Sequence, residues 1–263
     1  MSSPARELQM FFASNSDARR LTRNSHLCVA LIYGNLLAAA FGLVPAWTLA
    51  IVVMLLVPRW MIAVHELFHL RSEREVDPLT RLQVLLFTPL SLGYRENLAN
   101  HRSHHRYMGT PSDAEFYQLR GSRLTGFANA MSAPEQMWFR WVSEHGIDRR
   151  LALDTAARCA LFAGLVAITG PTFLWYWLPA RVAFGTSYFV FFYWLHRQGD
   201  AMGVYPLLVP ARLASFLTAL YGPDVVEATL HHDAHHAQPR IAAEHLARSR
   251  EQLKLSHQEN AAT

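Results

Sequence analysis

The stretch WTLAIVVMLLVPRWMIAVHELFHL, Trp47–Leu70, decides the fold. From Trp47 to His65 it carries one charged residue, Arg59. That length is close to the ~20 residues a bilayer requires of a helix. The apolar run then ends in His65-Glu66-Leu67-Phe68-His69, two histidines one helical turn apart. A membrane-spanning helix that delivers metal-binding side chains at one end is the reading that organises the rest of the chain.

Three more apolar stretches accompany it. Leu27–Val44 precedes it across the uncharged turn VPAW, residues 44–47. A third covers about 155–178, and a fourth runs from Val182 to Leu195, across the turn LPAR at 178–181. Pro45 and Pro179 suit such turns. The run from Leu27 is too long for a signal peptide and shows no cleavage site. The expected fold is an all-α integral membrane protein: four transmembrane helices as two hairpins, with a helical cap carrying the histidines. It forms one domain over residues 1–263. A polar segment at 1–25 is followed by membrane helices and cap over 26–196 and 197–250, then a tail at 251–263. The competing fold is a soluble all-α protein with a very apolar core.

Charge fixes the orientation. Only 17% of the 263 residues are charged, against about 25% in soluble proteins. The two turns carry one cation between them, Arg181. The N-terminus, the segment Arg71–Arg158 and the region after 196 hold nearly all the others, so by the positive-inside rule these are cytoplasmic. Two shorter apolar pieces, 84–94 and 204–222, are expected at the membrane interface. No basic repeat with interleaved aromatics points to nucleic acid. The two cysteines, Cys28 and Cys159, form no CxxC and read as membrane-facing thiols.

Of fourteen histidines, nine fall in HELFH (65–69), HRSHH (101–105) and HHDAHH (231–236). All three clusters, and His196 at the end of the fourth stretch, lie on the cytoplasmic side of this topology. On a helix, residues i, i+3 and i+4 share a face, so HRSHH and HDAHH each aim three imidazoles one way and HELFH aims two. Neutral imidazole suits Zn, Cu, Fe and Ni. HELFH also matches the zinc-protease motif HExxH, with Glu66 as base. A catalytic zinc takes three protein ligands, and that reading leaves most of the other two clusters unexplained. Eight or nine convergent imidazoles fit two ions. His26, His145, His245 and His257 are isolated and read as ordinary surface or packed residues. His231 lies at the edge of the face defined by His232, His235 and His236, outside the expected ligand set. Arg59, deep in its apolar span, is a functional-site candidate by default. The alternatives are that it snorkels to the interface or pairs with Glu66.

HxxxH, HxxHH and HxxHH set around paired apolar helices resemble the membrane fatty-acid desaturase superfamily. The second box, GYRENLANHRSHHRYMGTPSDAEF, is the closest match, and the resemblance covers roughly 50–120 and 185–250. It implies an O₂-dependent, non-haem di-iron oxidoreductase that introduces a double bond into a fatty acyl chain or related lipid. A hydroxylase or ketolase on the same scaffold is the alternative; outside that class stand the zinc protease and a non-catalytic metal-binding or transport protein. It further implies two iron ions, O₂ as co-substrate, a lipid held among the helices, and electrons from a ferredoxin, cytochrome or similar donor. The residues matching the boxes are His65, His69, His101, His104, His105, His232, His235 and His236. His196 resembles the extra ligand at the end of the fourth helix, and Asp113 the acidic residue that orients a ligand histidine. The chain departs from the family in having Leu230 and His231 before His232, where an Asn or Gln is usual nearby. It also departs in Phe192, four residues before His196.

Overall fold

The computed structural model describes residues 8–83, 85 and 88–260, with side chains up to 253. Helix accounts for 74% of the chain, and the one sheet among the described residues is a two-residue hairpin, Arg197–Gln198 with Ala201–Met202. The protein is therefore all-α, as the apolar periodicity requires.

Helix α1 (Asn15–Ala40) starts at a capping box. The Ser14 amide donates to Asp17 Oδ2 at 2.8 Å, and the Asp17 amide donates to Ser14 Oγ at 3.3 Å, satisfying two amides that lack helical partners. Its buried stripe, Leu21, Ser25, Cys28, Ile32, Leu36 and Ala39, repeats every three or four residues. The chain turns at 41–47 and enters α2 (Thr48–Leu70), which packs along α1. The stripe on α2 is Leu49, Val53, Val57 and Trp60; from Ile62 to Leu67 every residue is buried. That change marks where α2 leaves a two-helix contact and enters the centre of the molecule, and His65 lies within it.

After the short helix α3 (Pro78–Leu82), α4 (Tyr94–Tyr107) carries the second histidine box. Helices α5 (Arg123–Met131) and α6 (Ala133–His145) complete this part of the polar cap. Helix α7 (Arg149–Thr169) and α8 (Phe173–Tyr188) follow. Among the described residues, two segments are long and apolar enough to cross a membrane, Thr48–Leu70 and Arg149–Trp194. The second bends at Gly170, which takes the left-handed φ of +53°, ahead of Pro171. This corrects the expected turn at 178–181: Pro179 and Arg181 lie inside α8. Gly170-Pro171 supplies the stronger break, whereas a proline inside an apolar helix is tolerated when neighbours satisfy the freed carbonyl. Arg181 is paired with Glu135 and also donates to Met131 O at 3.1 Å, both in the cap.

Beyond the hairpin, α9 (Ala211–Tyr221) has no buried residue and exposes Leu213 and Phe216. Helix α10 (Pro223–Leu230) ends at His231, where the chain kinks into α11 (His232–Ala237), the third box. The N-terminal segment braces the chain after that box: the Ala13 amide donates to Arg240 O at 2.8 Å, and the Ala242 amide to Phe11 O at 2.9 Å. Helix α12 (Leu246–Asn260) closes the described chain, its Arg250 bonded to Asp233 at 2.9 Å.

Two expectations change here. In the piece 84–94, Val84, Leu86 and Phe87 lie outside the described residues, while Leu85, Thr88 and Leu92 are buried in protein and do not lie on a surface. Cys28 is also buried, against α2; only Cys159 is exposed.

Cap and helices meet where glycine is required. A Cβ on Gly185 would stand 2.2 Å from Met131 Sδ and 3.1 Å from Met131 Cα. Gly185→Leu is expected to lower the unfolding midpoint in detergent by roughly 5 °C or more, as overpacking does. Gly164→Leu, at a site with nothing within 4 Å, should leave it unchanged. Equal midpoints for the two variants in a thermal melt would contradict this packing.

Candidate metal centre

Four separate elements converge on one buried point. Helix α2 brings His65 and His69, α4 brings His101, His104 and His105, and α11 brings His232, His235 and His236. His196 arrives from a π-helical segment, Phe189–Trp194, that continues α8. One ring nitrogen from each of His65, His69, His101, His105 and His235 lies within 4.8 Å of the others. His104, His196 and His236 form a second such group. The stacked rings of His105 and His236, 4.1 Å apart, join the two.

The nitrogens face one another. His69 Nε2 and His101 Nε2 are 2.7 Å apart; His196 Nε2 is 3.2 Å from His104 Nε2 and 3.1 Å from His236 Nε2. Two donors at right angles on an ion ~2.1 Å away would be separated by about 3 Å. In the second group two of the outer nitrogens are committed. His104 Nδ1 donates to Asp113 Oδ2 at 2.9 Å, and His196 Nδ1 donates to the Phe191 carbonyl at 2.7 Å. Both Nε2 atoms then present lone pairs inward. One proton can bridge two such lone pairs, whereas a metal ion satisfies all three.

The Phe191 carbonyl is free to do this because of the π turn. There the Leu195 amide bonds back five residues to Val190 O, at 3.0 Å, and Phe191 O is left for the imidazole.

The first group and the neighbouring His232 supply the clearest test of fit. Both ring nitrogens of His105 and of His235, and Nδ1 of His232, are buried with no hydrogen-bond partner among the described residues. Each unsatisfied buried polar atom costs about 1–3 kcal/mol. Five of them together reach roughly 5–15 kcal/mol, as large as the net stability of a domain. An all-imidazole donor set facing inward with orphaned nitrogens fits metal ions of the first transition row.

Burial keeps the cap imidazoles in the neutral form that a ligand needs. It holds His101, His196, His232, His235 and His236 well below the ordinary histidine pKa, and neighbouring imidazoles add to the effect. Burial, with His65 and His104 nearby, takes His105 down to about 3. His104 goes the other way: burial opposes its charge, but the bond to Asp113 and the nearby Glu115 carboxyl outweigh it and raise the ring.

His232 belongs to neither group. Its ring lies against the second group, 4.7 Å from His236 and 4.9 Å from His196, and 5.5 Å from His235 of the first. His231 sits at the kink before α11, with Nε2 3.6 Å from Glu227, outside both groups. Glu66 Oε1 accepts from His65 Nδ1 at 3.0 Å and braces that imidazole; at 3.7 Å from His235 Nδ1 it is too far to bond to it. Arg59 does not pair with Glu66; it donates to the Leu220 carbonyl at the end of α9, a helix cap away from the imidazoles. His26 bonds to Thr80 Oγ1 at 3.2 Å, His145 stacks on Trp141, and His245 packs on Phe11. The side chain of His257 lies outside the described residues.

Sequence reasoning missed Glu115. It is buried, 3.8 Å from His104 Nδ1, and accepts from the Tyr188 hydroxyl at 3.1 Å. Burial pushes its carboxyl up to about 7, against the pull of His104. Its one sequence signal is its place two residues after Asp113. A narrow cavity of about 100 Å³ reaches His65 and His101 through Trp60, Phe68, Phe184, Phe191 and Phe192, and Glu115 lines it too.

The fold and site thus define a helical protein with paired, buried imidazole clusters able to hold metal. No protein-family model matches the chain, and neither a curated protein nor a solved structure is significantly similar to it.

His235→Ala, which removes one donor of the five-imidazole group, is expected to lower the metal content of purified protein by a large fraction. His231→Ala should leave it within error. Elemental analysis of both, with circular dichroism to confirm folding, checks this; the reverse order would mean that the α11 face is misassigned.

Proposed function

We propose that this protein is a multi-pass membrane, O₂-dependent di-iron oxidoreductase of the fatty-acid desaturase type, acting on an acyl chain. The observation that carries the reading is the pairing of two buried imidazole groups with an aromatic-walled cavity that touches His65 and His101. His65, His69, His101, His105 and His235 would hold one iron; His104, His196 and His236 would hold the other, with His232 against the second group. Bound iron would supply O₂ activation and the oxidant for an unactivated C–H bond.

The chain's own residues do the remaining work. Asp113 and the Phe191 carbonyl fix the tautomers of His104 and His196, and Glu66 does so for His65. Phe68, Phe191 and Phe192 exclude water and direct an apolar chain along the imidazoles. A double bond is the product proposed; hydroxylation of the same carbon uses the same constellation. Reductant comes from a separate donor such as a ferredoxin or cytochrome.

Four spans in two hairpins, with the histidines on the cytoplasmic face, complete the reading. It is supported by the exposed apolar surface of α7, including Leu153, Leu161 and Ile168, and by turns at 41–47 and 170–172 that contain no cation.

Purified protein is expected to contain iron near two per chain with little zinc, and cells expressing it aerobically should gain unsaturated or hydroxylated acyl chains by lipid mass spectrometry. Glu66→Gln should keep its metal and part of the activity, since a neutral amide still accepts from His65. Stoichiometric zinc with peptidase activity, abolished in Glu66→Gln at full metal content, would reverse the assignment.

A further inference from the structure

Three spaces share walls in series from the protein surface to the histidines. An exposed groove of about 770 Å³ is lined by Arg19, Arg23, His26 and Ala30 of α1, and by Arg71 opposite. His26 and Ala30 also line an inner cavity of about 300 Å³, whose far wall is Trp60, Val64 and Gln83. Those three residues in turn line the cavity at His65 and His101.

Charge and exposure along α1 say what the groove accepts. Arg19, Arg23, Leu27 and Leu31 form one i, i+4 row: two exposed cations, then two exposed leucines. Neither Arg19 nor Arg23 is in an ion pair with a described residue. The groove's other charges are matched: Arg71 pairs with Glu75 at 3.5 Å, and Asp77 caps α3 and faces His26 Nε2 at 3.2 Å. The unmatched charge is positive, and it borders an apolar surface that continues along the same row. A soluble anion would gain nothing from the leucines, whereas a membrane lipid uses both halves.

We propose that the substrate is a membrane lipid with an anionic phosphate headgroup. The phosphate sits at Arg19 and Arg23, and one acyl chain passes His26 and Trp60 to lie beside His65 and His101. The inference rests on the acyl-chain reading above and adds the headgroup class and the direction of entry.

The test uses full-length protein, freed of lipid in an uncharged detergent. It is offered phosphatidylglycerol or phosphatidylcholine with matched chains, each with a mid-chain photoreactive diazirine. Phosphatidylglycerol should label the peptide containing Trp60–Phe68 at least tenfold more than phosphatidylcholine. Arg19→Gln/Arg23→Gln should lose about 10- to 30-fold of that labelling, at roughly the worth of two interfacial arginines. Arg19→Lys/Arg23→Lys should keep most of it. Ala30→Trp, which fills the passage, should retain the lipid but lose the label on that peptide. Equal labelling by the two lipids, or labelling unchanged in the glutamine variant, overturns the proposal. So does full competition by millimolar inorganic phosphate, which would make the groove a free-anion site. Labelling is read without turnover, so iron content measured on the same sample tests the metal reading separately.

Discussion

The structure depends on the desolvation of its imidazoles. Helix α4 has little apolar packing to hold it: of its fourteen residues, Tyr94 and Leu98 are the buried apolar ones, and Glu96, Asn100, His101 and His104 are buried beside them. Tyr94 anchors it by donating to Leu67 O at 2.8 Å and Arg71 O at 3.1 Å, but a polar helix cannot dock on one tyrosine. Inward-facing nitrogens from four elements that are distant in sequence must find a common partner or return to water. A metal that binds only the assembled arrangement contributes its binding free energy to that assembly. In the cap, coordination would take the place that apolar packing holds between α1 and α2.

The outer partners of the rings follow from the same constraint. Asp113, the Phe191 carbonyl and Glu66 each occupy a nitrogen that faces away from the centre. Each decides which nitrogen carries the proton and which presents the lone pair, so the inward face is set before any ligand arrives. Glu115 and Tyr188 extend this polar layer from His104 to the wall of the apolar cavity. Acceptors that organise the ligands and aromatic rings that would organise a chain therefore meet within a few residues.

The sequence makes some of this legible and hides the rest for physical reasons. HELFH, HRSHH and HDAHH can be read because helical periodicity alone puts their imidazoles on one face, and each does lie on a helix. The all-α character follows from the apolar runs. The division of the chain after 149 does not: Pro179 looks like the stronger break, yet the helix ends at Gly170, where glycine takes a positive φ at no steric cost. Arg59 looks like an intramembrane functional charge until α9, far along the chain, supplies the carbonyl it caps. Glu115 is hidden by its context, since a carboxylate two residues from Asp113 gives no local sign that it will be buried. That three cavities share walls in series is a property of tertiary packing, and no local pattern encodes it.

The π segment at Phe189–Trp194 makes the fourth arm of the site sensitive to length more than to chemistry. A π turn holds one residue more than an α turn over the same span. Removing that residue would let the helix close into regular α geometry and turn everything beyond it by about 100°. The ring of His196 would swing off the group it now shares with His104 and His236, and the Phe191 carbonyl would return to a backbone amide. Exchanging one aromatic for another in this segment changes packing; changing the count by one changes which side chain reaches the centre. The phase of the backbone here acts as a clasp, storing in a single inserted residue the angle that completes the second imidazole group.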